Sequence, residues 1–388
     1  MDNIFKRYIV LWALITSCLL VAQGQVVSDS IQTSEEKQGV INKIVNYFAN
    51  ANKERRDKAF DVSFIGGPHY SNEKKFGIGL LAAGVYSTNR TDTLTPLSNV
   101  SVYADVSTSG FYSIGIKGTS RFNQDRFRVD YDAYFESMPS KFWGIGYSND
   151  VNDDNETNYK NLMSEVQVDA LFSPWENLYL GPMFEMSYVK GVLKNEERSY
   201  LWEGEDMRTF NYGIGVMINY DTRDNLTAPK CGVNVSLKQR YYGKWMGNTY
   251  AFSSTEFVAA WYTAMWKDCT MALQYHTNVT YGDTPWGLLA SMGGSHNMRG
   301  YYEGRYRDKG EMDVTLELRQ RVYKRVGVVA WGGVGEVFPK LSAINIHHLL
   351  PNYGFGFRWE FKKNVNVRLD MGFGKNQSGF VFNINEAF

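Results

Sequence analysis

The chain has 388 residues, and its 41 Lys and Arg balance 41 Asp and Glu, so no charge excess points to nucleic acid. Hydrophobic residues make up 44%, yet mean hydropathy is −0.37, which excludes a bundle of transmembrane helices. Aromatics at 15% and 36 glycines suit a sheet with aromatic girdles and many tight turns.

At the amino end, Lys6 and Arg7 precede an apolar run from Ile9 to Ala22, and Ala22-Gln23-Gly24 offers a small-residue cleavage site. The run is short for a bilayer span, so residues 1–24 are expected to be a cleaved secretory signal peptide. Ile15-Thr16-Ser17-Cys18 resembles a lipobox, but the apolar run continues past Cys18 through Leu19, Leu20 and Val21, which argues against lipidation. In residues 25–58, Val40, Ile41, Ile44, Val45, Tyr47, Phe48 and Ala51 share one side of a helix. This predicts a short amphipathic helix serving as a periplasmic linker, with a plug of the lumen as the alternative.

The remainder, 59–388, is assigned to an all-β domain. From about Lys75 the period becomes two. Phe127, Val129, Tyr131, Ala133 and Phe135 alternate with Arg126, Arg128, Asp130, Asp132 and Tyr134, and Val365 to Phe373 alternate with Asn366, Arg368, Asp370 and Gly372. About sixteen antiparallel strands are expected between 75 and 388, with 124–136 and 141–150 read as separate strands and the last spanning 379–388. Short connections near 173–177, 266–269, 323–325 and 362–364 alternate with long ones near 150–160, 191–206, 282–311 and 339–350. That alternation fits a transmembrane β-barrel with short periplasmic turns and long outer loops. The short hairpin at Phe122–Asp125 falls on the outer side in this reading and breaks the pattern. Arg126, Arg128, Asp130, Asp132, Glu165, Asp169, Glu185, Glu317, Arg319, Arg321, Arg358 and Glu360 then line the lumen, because Arg on a lipid face costs about 2–4 kcal/mol at the midplane.

Chemistry-bearing clusters are sparse. Cys231 and Cys269 fall near the bases of strands separated by a third, about 10 Å apart, too far for a disulfide. His347-His348 sits in an outer loop, where adjacent side chains diverge, so no metal site and no cofactor are expected. His276 on a strand leaves a barrel hydrolase open as an alternative, but no G-x-S-x-G elbow accompanies it.

Two segments resemble the bacterial surface antigen, or BamA–TamA, superfamily of outer-membrane assembly and two-partner-secretion transporters. The first is Asp221-Thr222-Arg223-Asp224-Asn225 with Pro229 and Gly232, similar to that family's periplasmic turn. The second is Met298-Arg299-Gly300-Tyr301 in the longest outer loop, similar to its V-R-G-F/Y motif. The resemblance implies that this loop folds back into the barrel and that Arg299 pairs with a carboxylate of the next strand, Glu317. The family's second acid falls at Gly333, leaving one acidic partner unless an acid elsewhere, such as Glu336, compensates. Phe388, closing an amphipathic last strand, resembles the signal by which outer-membrane barrels are themselves assembled.

The resemblance implies an outer-membrane barrel that assists insertion or translocation of proteins, or of lipids, through a gate between first and last strands. It is not expected to be an enzyme. Its implied partners are outer-membrane lipids, the machinery that inserts it, client proteins and a separate periplasmic protein. The stretch between Gln25 and Lys75 is too short for the family's periplasmic POTRA domains. A passive pore or structural barrel is the alternative, and a barrel enzyme a third reading.

Overall fold

The computed structural model describes residues 60–89, 94–193, 201–202, 204–362 and 364–388. The expected signal peptide, the lipobox at Cys18 and the helix in 25–58 lie outside the described residues.

Sixteen antiparallel strands close into a barrel. In order they are β1 (Phe60–Ser71), β2 (Lys75–Tyr86), β3 (Ser98–Ser107), β4 (Tyr112–Phe122), β5 (Phe127–Phe142), β6 (Thr157–Trp175), β7 (Leu178–Leu193) and β8 (Arg208–Asp221). Then come β9 (Gly232–Tyr242), β10 (Phe252–Trp266), β11 (Cys269–Gly282), β12 (Gly310–Tyr323), β13 (Val326–Phe338), β14 (Leu350–Lys362), β15 (Val365–Gly374) and β16 (Gln377–Ile384). Each pairs with its neighbours in sequence, and β1 meets β16 to close the ring. Among the described residues no helix is long and apolar enough to cross a membrane; a barrel crosses with strands.

Period-two alternation decides which side chains face which medium. Phe64, Leu80, Val106, Val216 and Phe355 are exposed on the outer wall, while Asp169, Glu185, Glu317, Arg368 and Asp370 are buried inside. Arg126 is a correction: it lies in the exposed turn before β5, not on the lumen wall.

Three strand boundaries also differ from expectation. β1 pairs with β2 along its length, from Phe60–Tyr86 to Ser71–Lys75. Its Gly66-Gly67-Pro68 interrupts the apolar alternation that marks the other strands, which hides it in the sequence. The segments 124–136 and 141–150 form the single strand β5 followed by a helical turn at Tyr147–Asp150. These two differences cancel in the total. They also move the Phe122–Phe127 connection to the short-turn rim, where it obeys the alternation of turn lengths. The third difference is at the end: β16 stops at Ile384, and Asn385 turns the chain with φ +69°.

The long-loop end is capped from within. Phe142, Tyr159, Trp202, Trp286 and Leu289 form one buried cluster, with Phe142 and Trp202 stacked at 4.2 Å. A large side chain removed from water stabilises by roughly 1.5–3 kcal/mol, so these loops are held by a core of their own. The connection 283–309 carries a small hairpin pairing Ala290–Ser291 with Arg307–Asp308. Beyond that hairpin it descends into the barrel, where Met292, Met298, Tyr301 and Tyr306 pack on Val337 and Leu350.

Candidate functional site

The descending loop ends on the barrel wall. Gly300 has φ +111°, and a Cβ there would lie 2.6 Å from the carbonyl carbon of Gly372 on β15. Only glycine meets both demands, a left-handed backbone and main-chain contact with the wall. Tyr301 Oη donates to Pro351 O at 2.7 Å and accepts from Lys375 N at 2.7 Å. Backbone geometry and the tyrosine together aim Arg299 into the lumen.

Arg299 is buried, ion-paired to Glu317 on β12 and, at 2.7 Å, to Asp370 on β15. Its guanidinium lies 3.7 Å from the centre of the Trp331 ring, a desolvated cation–π contact. Trp331 Nε1 donates to Asn352 Oδ1 at 3.0 Å, and Asn352 Nδ2 donates back to the Arg299 carbonyl oxygen. Asp370 is shared with Arg358 and Arg368, and Glu317 accepts from Arg319 at 2.6 Å. Glu386 accepts from Arg358 Nε at 2.8 Å. The network therefore sets four arginines (299, 319, 358, 368) against three carboxylates (317, 370, 386). Two donors, Arg319 Nη1 and Arg368 Nε, have no protein partner among the described residues.

The second acid is thus Asp370. It belongs to the polar face of the 364–374 alternation, so its inward direction was legible in the sequence. Its meeting with a residue 71 positions earlier was not. Gly333 lines the same wall without an acid, beside Trp331, and Glu336 instead accepts from Asn345 N of the loop above it at 2.8 Å. Trp331, Asn352, Arg358, Arg368, Asp370 and Glu386 were not singled out from the sequence as site residues.

The same loop touches both flanks of the barrel's closure. Tyr302 N donates to Gln377 Oε1 of β16 at 3.0 Å, and Glu303 N donates to Glu73 Oε1 of the β1–β2 turn at 3.3 Å. Between those strands the register pairs Tyr70 with Phe382. Asn72 Nδ2 adds a bond to Ser378 O at 2.7 Å.

A family model for the Omp85 superfamily domain matches residues 99–388. The chain belongs to the Omp85 superfamily. This Omp85 barrel is similar in fold to BamA from Haemophilus ducreyi lacking POTRA domains 1–3, with TM-score 0.58 and 13% identity over 86% of this chain and 71% of that one. It is likewise similar to CdiB from Escherichia coli, with TM-score 0.57 and 9% identity over 92% of this chain and 73% of that one. For CdiB from Acinetobacter baumannii the TM-score is 0.53 at 10% identity, covering 84% of this chain but only 60% of the other. Among curated protein sequences none matches the chain. The Omp85 fold places it in the outer membrane, with its short turns toward the periplasm.

At that periplasmic rim, Asp221 binds Arg223 at 2.7 Å, and Asp224 Oδ1 accepts from Lys230 N at 2.8 Å. Asn225 Oδ1 accepts from Thr227 N and Ala228 N, each at 2.9 Å. A Cβ on Gly232, at φ +109°, would sit 2.3 Å from Thr222 O, so the motif folds upon itself before β9 begins. Pro229 lies where this turn faces β12–β14. The turn then reaches across the mouth: Thr227 Oγ1 donates to Asn364 O at 2.7 Å, and Thr227 O accepts from Glu386 N at 3.2 Å.

Phe388 is off the lipid-facing wall. After the Asn385 turn, Phe388 packs beside Tyr262, and its main-chain oxygen accepts from Arg319 Nη2 at 2.9 Å. Ala387 O accepts from His296 Nδ1 at 2.8 Å. The segment Asn385–Phe388 therefore lies inside the lumen against the same arginines as the loop.

Cys231 and Cys269 are both free, one exposed and one buried. His276 sits 3.3 Å from Asp313 and 3.6 Å from Glu311, with Asn297 beside it. His348 stacks on Tyr147 at 4.1 Å. No group that could hold a metal occurs among the described residues.

Proposed function

We propose that this Omp85 barrel inserts or translocates proteins at the outer membrane through its β1–β16 seam, with the Met298–Tyr301 loop holding the seam shut. The observation that carries the reading is the loop's double attachment. It is anchored in the lumen at Glu317 and Asp370, and it bonds to Gln377 on one side of the seam and Glu73 on the other. Release of Arg299 would free both flanks together. An opened seam bares unpaired N–H and C=O groups, which can template an incoming strand. Pro68 supports this role, since it brings no N–H to a ladder on β1. Client recognition would fall to a separate periplasmic partner, and the arrangement calls for no enzyme chemistry. Phe388 remains proposed as part of the signal for this barrel's own assembly, read before the chain folds.

A cysteine pair at 70 and 382, which face each other in register, tests the seam in a background where Cys231 and Cys269 are serine. Depletion of the native chain followed by quantitative outer-membrane proteomics identifies the barrels or surface proteins that fall. The reduced variant should restore them and the oxidised one should not. Full restoration by the oxidised chain would sink the seam reading. An unchanged protein inventory with altered lipid asymmetry would move the function to lipids. A passive pore is disfavoured by the loop and the Asn385–Phe388 segment inside the lumen, and high steady conductance from the purified chain would revive it.

A further inference from the structure

The periplasmic mouth holds a cleft unrelated to the seam. Its roof is the turn Ala228–Lys230, and its wall is formed by β12, β13 and β14. Six cations line it, Lys230, Arg319, Arg321, Lys324, Arg325 and Arg358, against three acids, Asp268, Glu360 and Glu386. Glu386 is committed to Arg358 and Asn366, and Glu360 accepts from Asn364 N. Lys230, Arg321, Lys324 and Arg325 are exposed, and none has an ion-pair partner among the described residues. Deeper in, Arg319 is about nine-tenths buried, and its Nη1 has no protein partner. One free donor of an otherwise paired arginine thus faces a cleft whose rim is cationic.

We propose that this cleft binds the phosphate of an acidic phospholipid headgroup from the inner leaflet. A guanidinium fork matches phosphate oxygens with two parallel bonds, which suits Arg321, while Arg319 adds its free Nη1. The lipid source follows from depth. On the outer wall, Val322, Tyr323 and Trp266 are exposed beside the turn that carries Lys324 and Arg325, and an aromatic belt marks the level of the headgroups. Selectivity follows from charge. A zwitterionic headgroup brings an ammonium that four unpaired cations repel, whereas an acidic one brings none.

The test uses the full chain reconstituted in nanodiscs of phosphatidylcholine containing a minor share of phosphatidylglycerol. Native mass spectrometry then reads the lipids that remain bound. Wild type should retain phosphatidylglycerol about tenfold above its bulk share. The combined variant Arg321→Gln, Lys324→Asn, Arg325→Gln should return it to the bulk share; Asn tolerates the left-handed backbone at 324, where φ is +43°. Folding of the variant is checked by its heat-resistant mobility on gels. Equal enrichment in wild type and variant, or none in either, would overturn the proposal. A parallel titration with inorganic phosphate separates the sources: variant-sensitive phosphate binding without lipid enrichment assigns the cleft to a free anion. Variant-sensitive capture of a polyglutamate peptide without lipid enrichment would assign it to an acidic polypeptide. Either result removes the lipid.

Discussion

Two sectors of the same barrel are held together by different means. From β11 to β15 the wall is continuous, and behind it lies a buried network in which one arginine from a distant loop meets two carboxylates and a tryptophan. At the β1–β16 closure the register is the Tyr70–Phe382 pairing, and further bonds to its flanks come from Asn72, Tyr302 and Glu303. The first sector is stabilised by buried charge, whose loss is costly when one partner is removed. The second relies on a few partly exposed hydrogen bonds, each worth about 0.5–1.5 kcal/mol. The proposed opening at the seam fits this arrangement, because the rigid sector fixes where the weak one yields.

The comparison breaks most severely at Asp370. Asp370→Ala removes the carboxylate shared by Arg299, Arg358 and Arg368 and leaves four arginines facing two acids. A loss of about 3–5 kcal/mol is expected, measured as a fall in the unfolding midpoint in detergent. Arg299→Met should cost less, since three arginines then face three acids. A double-mutant cycle on Arg299 and Glu317 should still give a coupling of about 1–3 kcal/mol, and zero coupling would remove the pairing from the account.

Gly300→Ala comes next. The strained backbone and the contact with Gly372 should displace the loop at a cost of about 1–3 kcal/mol, seen as new protease cleavage between 293 and 307. If cleavage stays blocked, the loop is held by something other than its wall contact. Asn72→Ala should alter global stability by only about 1 kcal/mol yet raise hydrogen exchange in β1 and β16 over that in β12–β15. Equal exchange in both sectors would erase the contrast.

The smallest effect concerns Asp150 in the outer loop, whose Oδ2 accepts from Arg307 N at 3.0 Å. Burial holds its carboxyl well above the usual range, against the pull of Arg307 and Arg305. Between the ordinary value and the raised one, the folded loop keeps a proton that the open chain has lost. Loop docking should therefore be strongest at acid pH and weaken as pH climbs through that window. Asp150→Asn should flatten this dependence in a protease-protection profile, and an unchanged profile would assign it to another group.

Local period and local turn chemistry were legible in the residues alone. Alternation from Lys75 onward specified a barrel with charged residues inside, and the ordered runs at Asp221–Asn225 and Met298–Tyr301 marked the turn and the loop. β1 escaped because Gly66-Gly67-Pro68 erases the alternation, although the strand pairs with β2 along its whole length. It took the folded barrel to reveal that Asp370 rather than a residue at 333 completes the arginine pair, that Thr227 reaches Asn364, and that Phe388 turns inward to Arg319. Period two tells each side chain which face it occupies. Which inward residues meet across the lumen is set by barrel closure and by the path of a long loop, and neither leaves a mark in nearby sequence.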